Sequence, residues 1–274
     1  MEKELYLDSC CPFDTSAYTG EPDKEPCPVS LDVPGVIKGL DELYAQGREE
    51  DAQPYLEGWL QKANAVGDWR AELSFLSELL GQYRRTASRE KGLDTVDSAL
   101  ELIEAHGMGR TVSGATVLLN AATTLKCFGE AERSLPLFYH VARVYGESLD
   151  PLDYRMAGLY NNMALSFEDV GDLVQAEKHL VMAMEILCRL PGQENELAVS
   201  CCNLAELWDE QDPEDGRIEK VLDKAWDYLN APGLAQDGYH AFTISKCAPC
   251  FDRLGFFLYA EELKERAARI YAGA

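Results

Sequence analysis

The sequence predicts an all-α protein made of about six similar helical hairpins, and three observations support that fold class. Between residues 160 and 183, apolar residues recur at the three- and four-residue steps of a helix. Similar stretches return along the 274-residue chain. Strand signals are sparse, because apolar and polar residues show no sustained alternation and Val, Ile and Thr rarely cluster. Helical periodicity therefore decides the fold class.

The clearest hairpin lies in Tyr160–Ala183. In its first helix, Ala164 lets a partner helix approach closely, and Phe167 fills the space beside it on the same face. Gly171 ends this helix, and Asp172 caps the next one. The apolar stripe of the second helix consists of Ala176, Leu180 and Ala183.

The same arrangement of small and large residues returns at intervals of about 42 residues. A single hairpin cannot bury both of its apolar faces, so we expect the copies to stack into a solenoid with a continuous core. In the first copy, Trp59 is expected to belong to that core. The other copies contain the pairs Leu40 and Leu43, Leu80 and Tyr83, Ala122 and Leu125, Ala205 and Trp208, and Ala248 and Phe251.

The chain divides into an irregular acidic arm over residues 1–30 and a helical repeat domain over residues 31–274. Pro, Gly, Cys and acidic residues crowd the arm, which does not fit the repeat. Such an arm can lie in a groove of the repeats, pack against the first hairpin, or lack fixed structure. In the domain, hairpins are expected at about 33–65, 69–106, 111–148, 151–189, 197–229 and 238–272.

The hairpin pattern, above all NNMALSFEDVGDLVQAEKHLVMAMEIL at residues 161–187, resembles the tetratricopeptide repeat (TPR). It is similar to the longer form of about 42 residues found in kinesin light chains and many bacterial proteins. Two turns depart from the family pattern, because Ala87 and Asp212 stand where the family has Gly. The resemblance implies a right-handed α-α superhelix whose inner groove binds peptides or protein segments.

Composition narrows the classes of partner. The chain has 48 acidic and 25 basic residues, which gives a formal net charge of −23. This charge argues against binding to nucleic acid, which requires clustered cations, and against binding to anionic membranes. We therefore expect protein or peptide partners, basic or neutral by preference.

The sequence also predicts a cytoplasmic protein. No apolar run approaches the length of a membrane span, and the start of the chain lacks the basic and apolar regions of a secretion signal. The nine cysteines are odd in number, and we expect free thiols that pack as small apolar groups.

The best candidate for binding is a polar position two residues before the small residue of each first helix. Three successive Asn there are unexpected, because Asn costs roughly half a kcal/mol relative to Ala inside a helix. A tertiary interaction should offset that cost. In chain order, this position holds Lys38, Glu78, Asn120, Asn162, Asn203 and Lys246.

In the TPR family this position lines the groove, so the resemblance implies that Asn120, Asn162 and Asn203 face a ligand. An amide both donates and accepts, as the backbone of an extended peptide requires. The alternative, that these amides only bond to neighbouring helices, stays open. The full set of predicted peptide-binding residues is Asn120, Asn161, Asn162, Asn203, Lys126, Lys246 and Arg253.

Other chemistry has weak support. Cys247 and Cys250 form a CxxC inside a helix, but no spacing supplies the second pair of a structural zinc site. The four histidines stand apart from any catalytic motif. Arg84 and Arg85 are interpreted as a solvated helix end that favours cations, with a groove contact as the alternative. We predict no catalytic residue, metal or cofactor.

The leading hypothesis is a non-enzymatic adaptor that holds an extended segment of a partner protein in its groove. Two alternatives remain. One is a sensor of short signalling peptides, and the other is a structural homo-oligomer, such as a homodimer, that pairs through apolar surface on the terminal hairpins.

Overall fold

The computed structural model describes residues 30–273, which divide into two compact units, residues 30–149 and residues 150–273. The predicted acidic arm, apart from Ser30, lies outside the described residues. Within the described range every regular element is helical, and each unit contains three helical hairpins. The prediction of an all-α fold of six hairpins is confirmed.

The first unit consists of six α-helices in three hairpins, with one 3-10 turn at Met108–Arg110 before the third hairpin. The first helices of its hairpins begin at side-chain caps, for example Asp68 accepting from the backbone N of Ala71 at 3.1 Å. The helices are α1 (Val33–Ala45), α2 (Glu49–Val66), α3 (Trp69–Arg85), α4 (Arg89–Ala105), α5 (Val112–Cys127) and α6 (Ala131–Ser148).

The second unit repeats this plan. The cap predicted at Asp172 is confirmed, because its carboxylate accepts from the backbone N of Gln175 at 3.1 Å. The last helix begins two residues earlier than the expected Tyr259, and α9 begins three residues before the expected Leu197. The helices are α7 (Tyr154–Asp169), α8 (Leu173–Leu187), α9 (Glu194–Gln211), α10 (Arg217–Leu229), α11 (Gly238–Arg253) and α12 (Phe257–Gly273).

The apolar repeat builds the core in both units. Within each hairpin the two helices pack on each other. Most consecutive hairpins of a unit pack through the second helix of one and the first helix of the next, as α2 does on α3 and α8 on α9, and first helices also pack on each other, as α3 does on α5 and α9 on α11. The small residues at the contacts, such as Ala122 and Ala164, are fully buried. Trp59 is an exception to the predicted core, because its ring is only half-buried beside Tyr55 and Phe75.

The turns inside the hairpins show why the family pattern favours Gly. Gly171 has φ +80°, in the left-handed region that side chains with a Cβ rarely adopt. In the second hairpin Ala87 takes the same conformation at φ +51°. In the fifth hairpin the chain avoids it, because Asp212 is extended at φ −156° and a longer loop leads to α10. The two departures have thus been accommodated in different ways.

None of the helices in residues 30–273 is long and apolar enough to cross a bilayer.

Candidate binding surface

The predicted polar position lies near the middle of each first helix. Its side chains are therefore held by the most regular part of the hairpin, away from the turns. In the first unit the position holds Lys38 of α1, Glu78 of α3 and Asn120 of α5. In the second unit it holds Asn162 of α7, Asn203 of α9 and Lys246 of α11.

The amides of the second unit are buried and partly bonded. Nδ2 of Asn203 donates to Oδ1 of Asn161 at 3.0 Å, which links α9 to α7. Nδ2 of Asn162 donates to the backbone oxygen of Gly158 at 3.0 Å, within α7. Among residues 30–273, no donor reaches the side-chain oxygen of Asn162 or of Asn203. Neither oxygen is both fully buried and without a partner, so each keeps some access to solvent and can accept a hydrogen bond from water or from a ligand.

Asn120 of the first unit is half-buried, and its Nδ2 donates to Oγ of Ser77 at 2.9 Å. This bond joins α5 to α3. Together with the bond between Asn203 and Asn161, it gives Asn120 and Asn203 the tertiary role expected from their helix cost, namely bonding to neighbouring helices, whereas the amide of Asn162 bonds within its own helix. Ligand binding at this position remains a prediction.

The three predicted cations differ in their surroundings. Lys126 is 7% exposed at the end of α5. Nζ of Lys246 lies 5.5 Å from the ring centroid of Phe242, one helical turn earlier on α11. Nη2 of Arg253 pairs with Oε1 of Glu206 at 2.9 Å, so that α11 and α9 are also linked. Lys246 and Arg253 are seven residues apart on one helix and therefore share a face.

Sequence reasoning misjudged Arg84, which is not a solvated helix end. Its side chain is 3% exposed, and Nη1 donates to Oγ1 of Thr124 at 2.8 Å and to the backbone oxygen of Asn120 at 3.2 Å. Arg85 is exposed, as expected, and its guanidinium lies 4.6 Å from the ring centroid of Tyr44. The register carried the missed signal, because Arg84 is four residues after Leu80, on a side of α3 that meets α5.

Glu78 is the second residue whose environment the sequence did not reveal. Burial raises the pKa of its carboxyl to about 7, Arg85 and Arg84 lower it, and Asp41 of α1 raises it further. At neutral pH this carboxyl is therefore protonated in a large fraction of molecules. It cancels less of the charge of Arg84 and Arg85 than an ordinary glutamate would.

Apart from α1, which carries Glu42 in its last turn, the last turns of the first helices carry opposite charges in the two units. In the first unit, α3 and α5 end with cations, which are Arg84, Arg85 and Lys126. In the second unit, α7, α9 and α11 end mostly with carboxylates, and Arg253 is the exception. The carboxylates are Glu168, Asp169, Asp209, Glu210 and Asp252.

Two other features lie apart from the predicted residues. A shallow surface pocket of about 390 Å³ in the second unit is lined by the loops before α9 and α11, including Asn195, Asp237 and Tyr239, and by none of the predicted peptide-binding residues. Cys202, Cys247 and Cys250 lie close together and buried between α9 and α11. In residues 30–273 no cluster of three or more His, Cys, Asp or Glu is arranged to hold a metal ion.

The sequence itself matches no family model and no curated protein. Solved structures do match the fold. The nearly identical TPR-like repeats of a kinesin-light-chain-like protein of Podosopora anserina align with a TM-score of 0.52 at 15% identity, over 73% of this chain and 95% of that one. BtubC (BKLC) of P. vanneervenii aligns with a TM-score of 0.54 at 17% identity, over 89% and 92%.

At such low identity the likeness establishes the fold alone. It agrees with the repeat pattern, with the buried small residues and with the left-handed turns described above. The resemblance drawn from the sequence is thereby confirmed at the level of architecture: this chain has the TPR-like helical-repeat fold.

Proposed function

We propose that this chain is a non-enzymatic scaffold that binds an extended, basic or neutral segment of a partner protein along the first helices of its second unit. One observation carries the proposal. In α7 and α9 a buried amide is followed seven residues later by a carboxylate, as Asn162 is by Asp169 and Asn203 by Glu210. Residues seven apart lie on the same helix face, so each helix offers both groups to one ligand.

The amides suit a peptide backbone. The side-chain oxygens of Asn162 and Asn203 lack a donor among the described residues, and a backbone N–H of an extended segment can supply one. Helices packed about 10 Å apart would meet an extended chain rising about 3.3 Å per residue at every third residue. Such contacts hold a segment without reading its side chains.

The carboxylates provide the preference for basic partners. Helix C-termini carry a partial negative charge, so an anion there is unfavourable by about 0.3–1 kcal/mol. The second unit nevertheless ends α7 and α9 with adjacent acidic pairs, Glu168 with Asp169 and Asp209 with Glu210. A bound Lys or Arg side chain would relieve both the repulsion within each pair and the unfavourable interaction with the helix dipole.

The preference can be tested by fluorescence anisotropy with two labelled peptides of about 12 residues, one alternating Lys with Ser and the other Glu with Ser. The key variant is Asp169→Asn with Glu210→Gln. The matched control is Glu219→Gln with Asp223→Asn, which removes the same charge from exposed positions on α10. We expect the Lys peptide to bind the parent, and the key variant to weaken binding about tenfold, since two exposed charge contacts contribute about 0.7 kcal/mol each.

If the key variant and the control weakened binding of the Lys peptide equally, overall charge alone would explain the interaction, and the proposal would be contradicted. Asn162→Ala keeps the charge and examines the amide contact separately. We expect it to weaken binding of the Lys peptide and of a neutral Gly-Ser peptide by a similar factor, because it removes a backbone contact. Far-ultraviolet circular dichroism checks that each variant is folded.

Self-association is the second candidate function, and one observation favours it. Phe257 and Leu258, at the turn of the last hairpin, are 66% and 82% exposed. Exposed apolar side chains at the end of a repeat array are candidate contacts between copies. Light scattering of the parent beside Leu258→Ser separates the functions. A dimer that the substitution dissociates supports association, and a monomeric parent at about 0.1 mM excludes it at that concentration.

A further inference from the structure

The surface pocket of about 390 Å³ in the second unit lies where α9 and α11 begin. Its volume falls in the range of about 300–1,000 Å³ that is typical of small-ligand sites. Its walls come from the first turns of both helices and from the loops that precede them. A pocket of this size has room for one or two residues of a peptide.

One wall carries backbone donors that the fold leaves uncapped. In the described part of the chain, the five other first helices begin with a side chain that accepts from the first turn, but α9 does not. No acceptor within residues 30–273 reaches the backbone N of Glu194, Asn195 or Glu196. The positive end of the helix dipole lies at the same place. The start of α9 therefore favours an acceptor group of a ligand.

Asn195 adds a side-chain donor to this wall. It is 8% exposed, and its Oδ1 contacts Nδ1 of the fully buried His240 at 2.8 Å. Burial and the charge of Arg266 lower the pKa of His240, so its ring is neutral at pH 7. An amide oxygen can only accept, so the imidazole N–H donates and fixes the orientation of the amide. Nδ2 of Asn195 has no acceptor among the described residues but keeps access to solvent, and it can donate to a ligand in the pocket.

The remaining polar walls are acidic. The pocket is lined by the carboxylates of Glu194, Glu196 and Asp237 and by no basic residue. The hydroxyl of Tyr239 donates to Glu196, and the backbone N of His240 donates to Asp237. These bonds hold two of the carboxylates in place without cancelling their charge. Because the described carboxylates are not arranged to hold a metal ion, an organic cation is the better match.

Donors beside carboxylates fit a particular chemical group, an ammonium next to a neutral carbonyl. The amino terminus of a peptide has both. A free amino acid has the same ammonium, but its carboxylate would be repelled by the acidic walls. We propose that this pocket binds the amino terminus of a peptide, with the ammonium on the carboxylates and the first carbonyl on the donors at the start of α9.

This inference does not rest on the proposed function, whose residues lie further along the helices. Glu196 precedes Asn203 by seven residues, which places the pocket about 10 Å along α9 from the nearest of them. Each proposal can therefore fail without the other, and the experiment is designed to show which one does.

Fluorescence anisotropy of the parent protein tests the pocket with three Gly-Ser peptides of about six residues, each labelled at its C-terminal end. The first has a free amino terminus, the second is acetylated, and the third is acetylated and carries one Lys. We expect acetylation to weaken binding about tenfold, because it removes the ammonium. Equal binding of the free and acetylated peptides would overturn the proposal. An acetylated Lys peptide that bound as tightly as the free peptide would overturn it in favour of a basic side chain.

Charge variants locate the effect of acetylation. Glu194→Gln with Asp237→Asn removes two charges from the pocket and keeps the side-chain oxygen that caps α11. We expect the effect to fall from about tenfold to about twofold in this variant. The surface control, Glu219→Gln with Asp223→Asn, should retain it. So should Asp169→Asn with Glu210→Gln, which separates this site from the proposed function. A pocket variant that kept the full effect would contradict the assignment.

Competition on the parent protein examines the carbonyl contact. We expect glycinamide, which has an ammonium and a neutral carbonyl, to displace the labelled free peptide at roughly tenfold lower concentration than glycine. Glycine that competed equally well would overturn the preference for a peptide terminus. Asn195→Ala should weaken binding of the free peptide about fivefold, with circular dichroism confirming that it is folded. Unchanged binding by the folded variant would contradict the role given to this amide.

Discussion

The two units of this chain use one hairpin plan but charge it in opposite ways. At the ends of the first helices, α3 and α5 of the first unit carry cations, whereas α7, α9 and α11 of the second unit carry mostly carboxylates. The cations suit the negative ends of their helices, whereas the carboxylates oppose them. Part of the difference is structural, because Arg84 is buried and bonded across to α5, whereas Arg253 remains half-exposed in its ion pair. Arg84, six residues after the polar position of α3, therefore serves packing, whereas the carboxylates seven residues after the polar positions of α7 and α9 are exposed.

The largest expected effect comes from the buried arginine of the first unit. Arg84→Met removes the hydrogen bonds to Thr124 and Asn120 and leaves polar atoms of α5 buried. We expect the free energy of unfolding to fall by about 2–4 kcal/mol. Arg253→Met, the same substitution at the end of α11 in the second unit, breaks only an exposed pair and should lower the free energy of unfolding by less than about 1 kcal/mol. Urea unfolding at pH 7 measures both, and equal losses would contradict the assignment of different roles.

Glu78 provides a pH-dependent contrast with the asparagines at the same register. Its pKa is about 7 in the folded chain against 4.5 for an ordinary glutamate, so folding disfavours the charged form. Its contribution to stability is complete below pH 4.5 and is lost as the pH rises through 7. We expect Glu78→Gln to stabilise the protein by about 1–3 kcal/mol at pH 8 and to be near neutral at pH 4. Thermal unfolding across this range would contradict the burial argument if the difference between variant and parent were independent of pH.

The hairpin turns allow a smaller and reciprocal comparison. Ala87 has φ +51° where Gly171 has φ +80°. We expect Ala87→Gly to raise the free energy of unfolding by about 0.5–1 kcal/mol, and Gly171→Ala to lower it by a similar amount, because a Cβ is strained in the left-handed region. Differential scanning calorimetry measures both. A destabilised Ala87→Gly variant would mean that the methyl group of Ala87 stabilises this turn by more than its left-handed backbone conformation costs.

The smallest effects concern the exposed charges at the helix ends. Glu210→Gln in the second unit should stabilise the protein by about 0.3–0.5 kcal/mol, because it removes an anion from the negative end of α9. Arg85→Gln in the first unit should destabilise it by about the same amount for the converse reason. Chemical denaturation at low and high salt tests the pair, since salt should reduce both effects. A destabilised Glu210→Gln variant together with a stabilised Arg85→Gln variant would refute the electrostatic contrast between the units.

The sequence predicted the fold well because its signals are local. The spacing of residues such as Ala164 and Phe167 reports helical periodicity directly, and a Gly such as Gly171 reports a left-handed turn. These features located the hairpins to within a few residues. Ala87 shows the limit of such signals. Alanine does not favour the left-handed conformation, yet Ala87 adopts it because the two packed helices require a tight turn at this position.

The candidate site was less predictable because it depends on contacts between distant residues. The partner of Asn203 is Asn161, 42 positions away, and the partner of Arg84 is Thr124, 40 positions away. The shifted pKa of Glu78 likewise arises from burial and from charges on α1 and α3. Register indicates which side chains share a face, but only tertiary packing determines whether they bond to each other or are left for a ligand.

The buried cysteines bear on how unfolding of this protein can be reversed. Burial raises the pKa of the Cys201 thiol to about 12, and Cys247 is fully buried beside it in the core of the second unit. In the folded chain these thiols are shielded from oxidants, whereas unfolding exposes them as ordinary, reactive thiols. Under oxidising conditions the exposed thiols of an unfolded chain can therefore form a non-native disulfide that blocks refolding. Survival of the protein would then be governed by its unfolding rate rather than by its equilibrium stability.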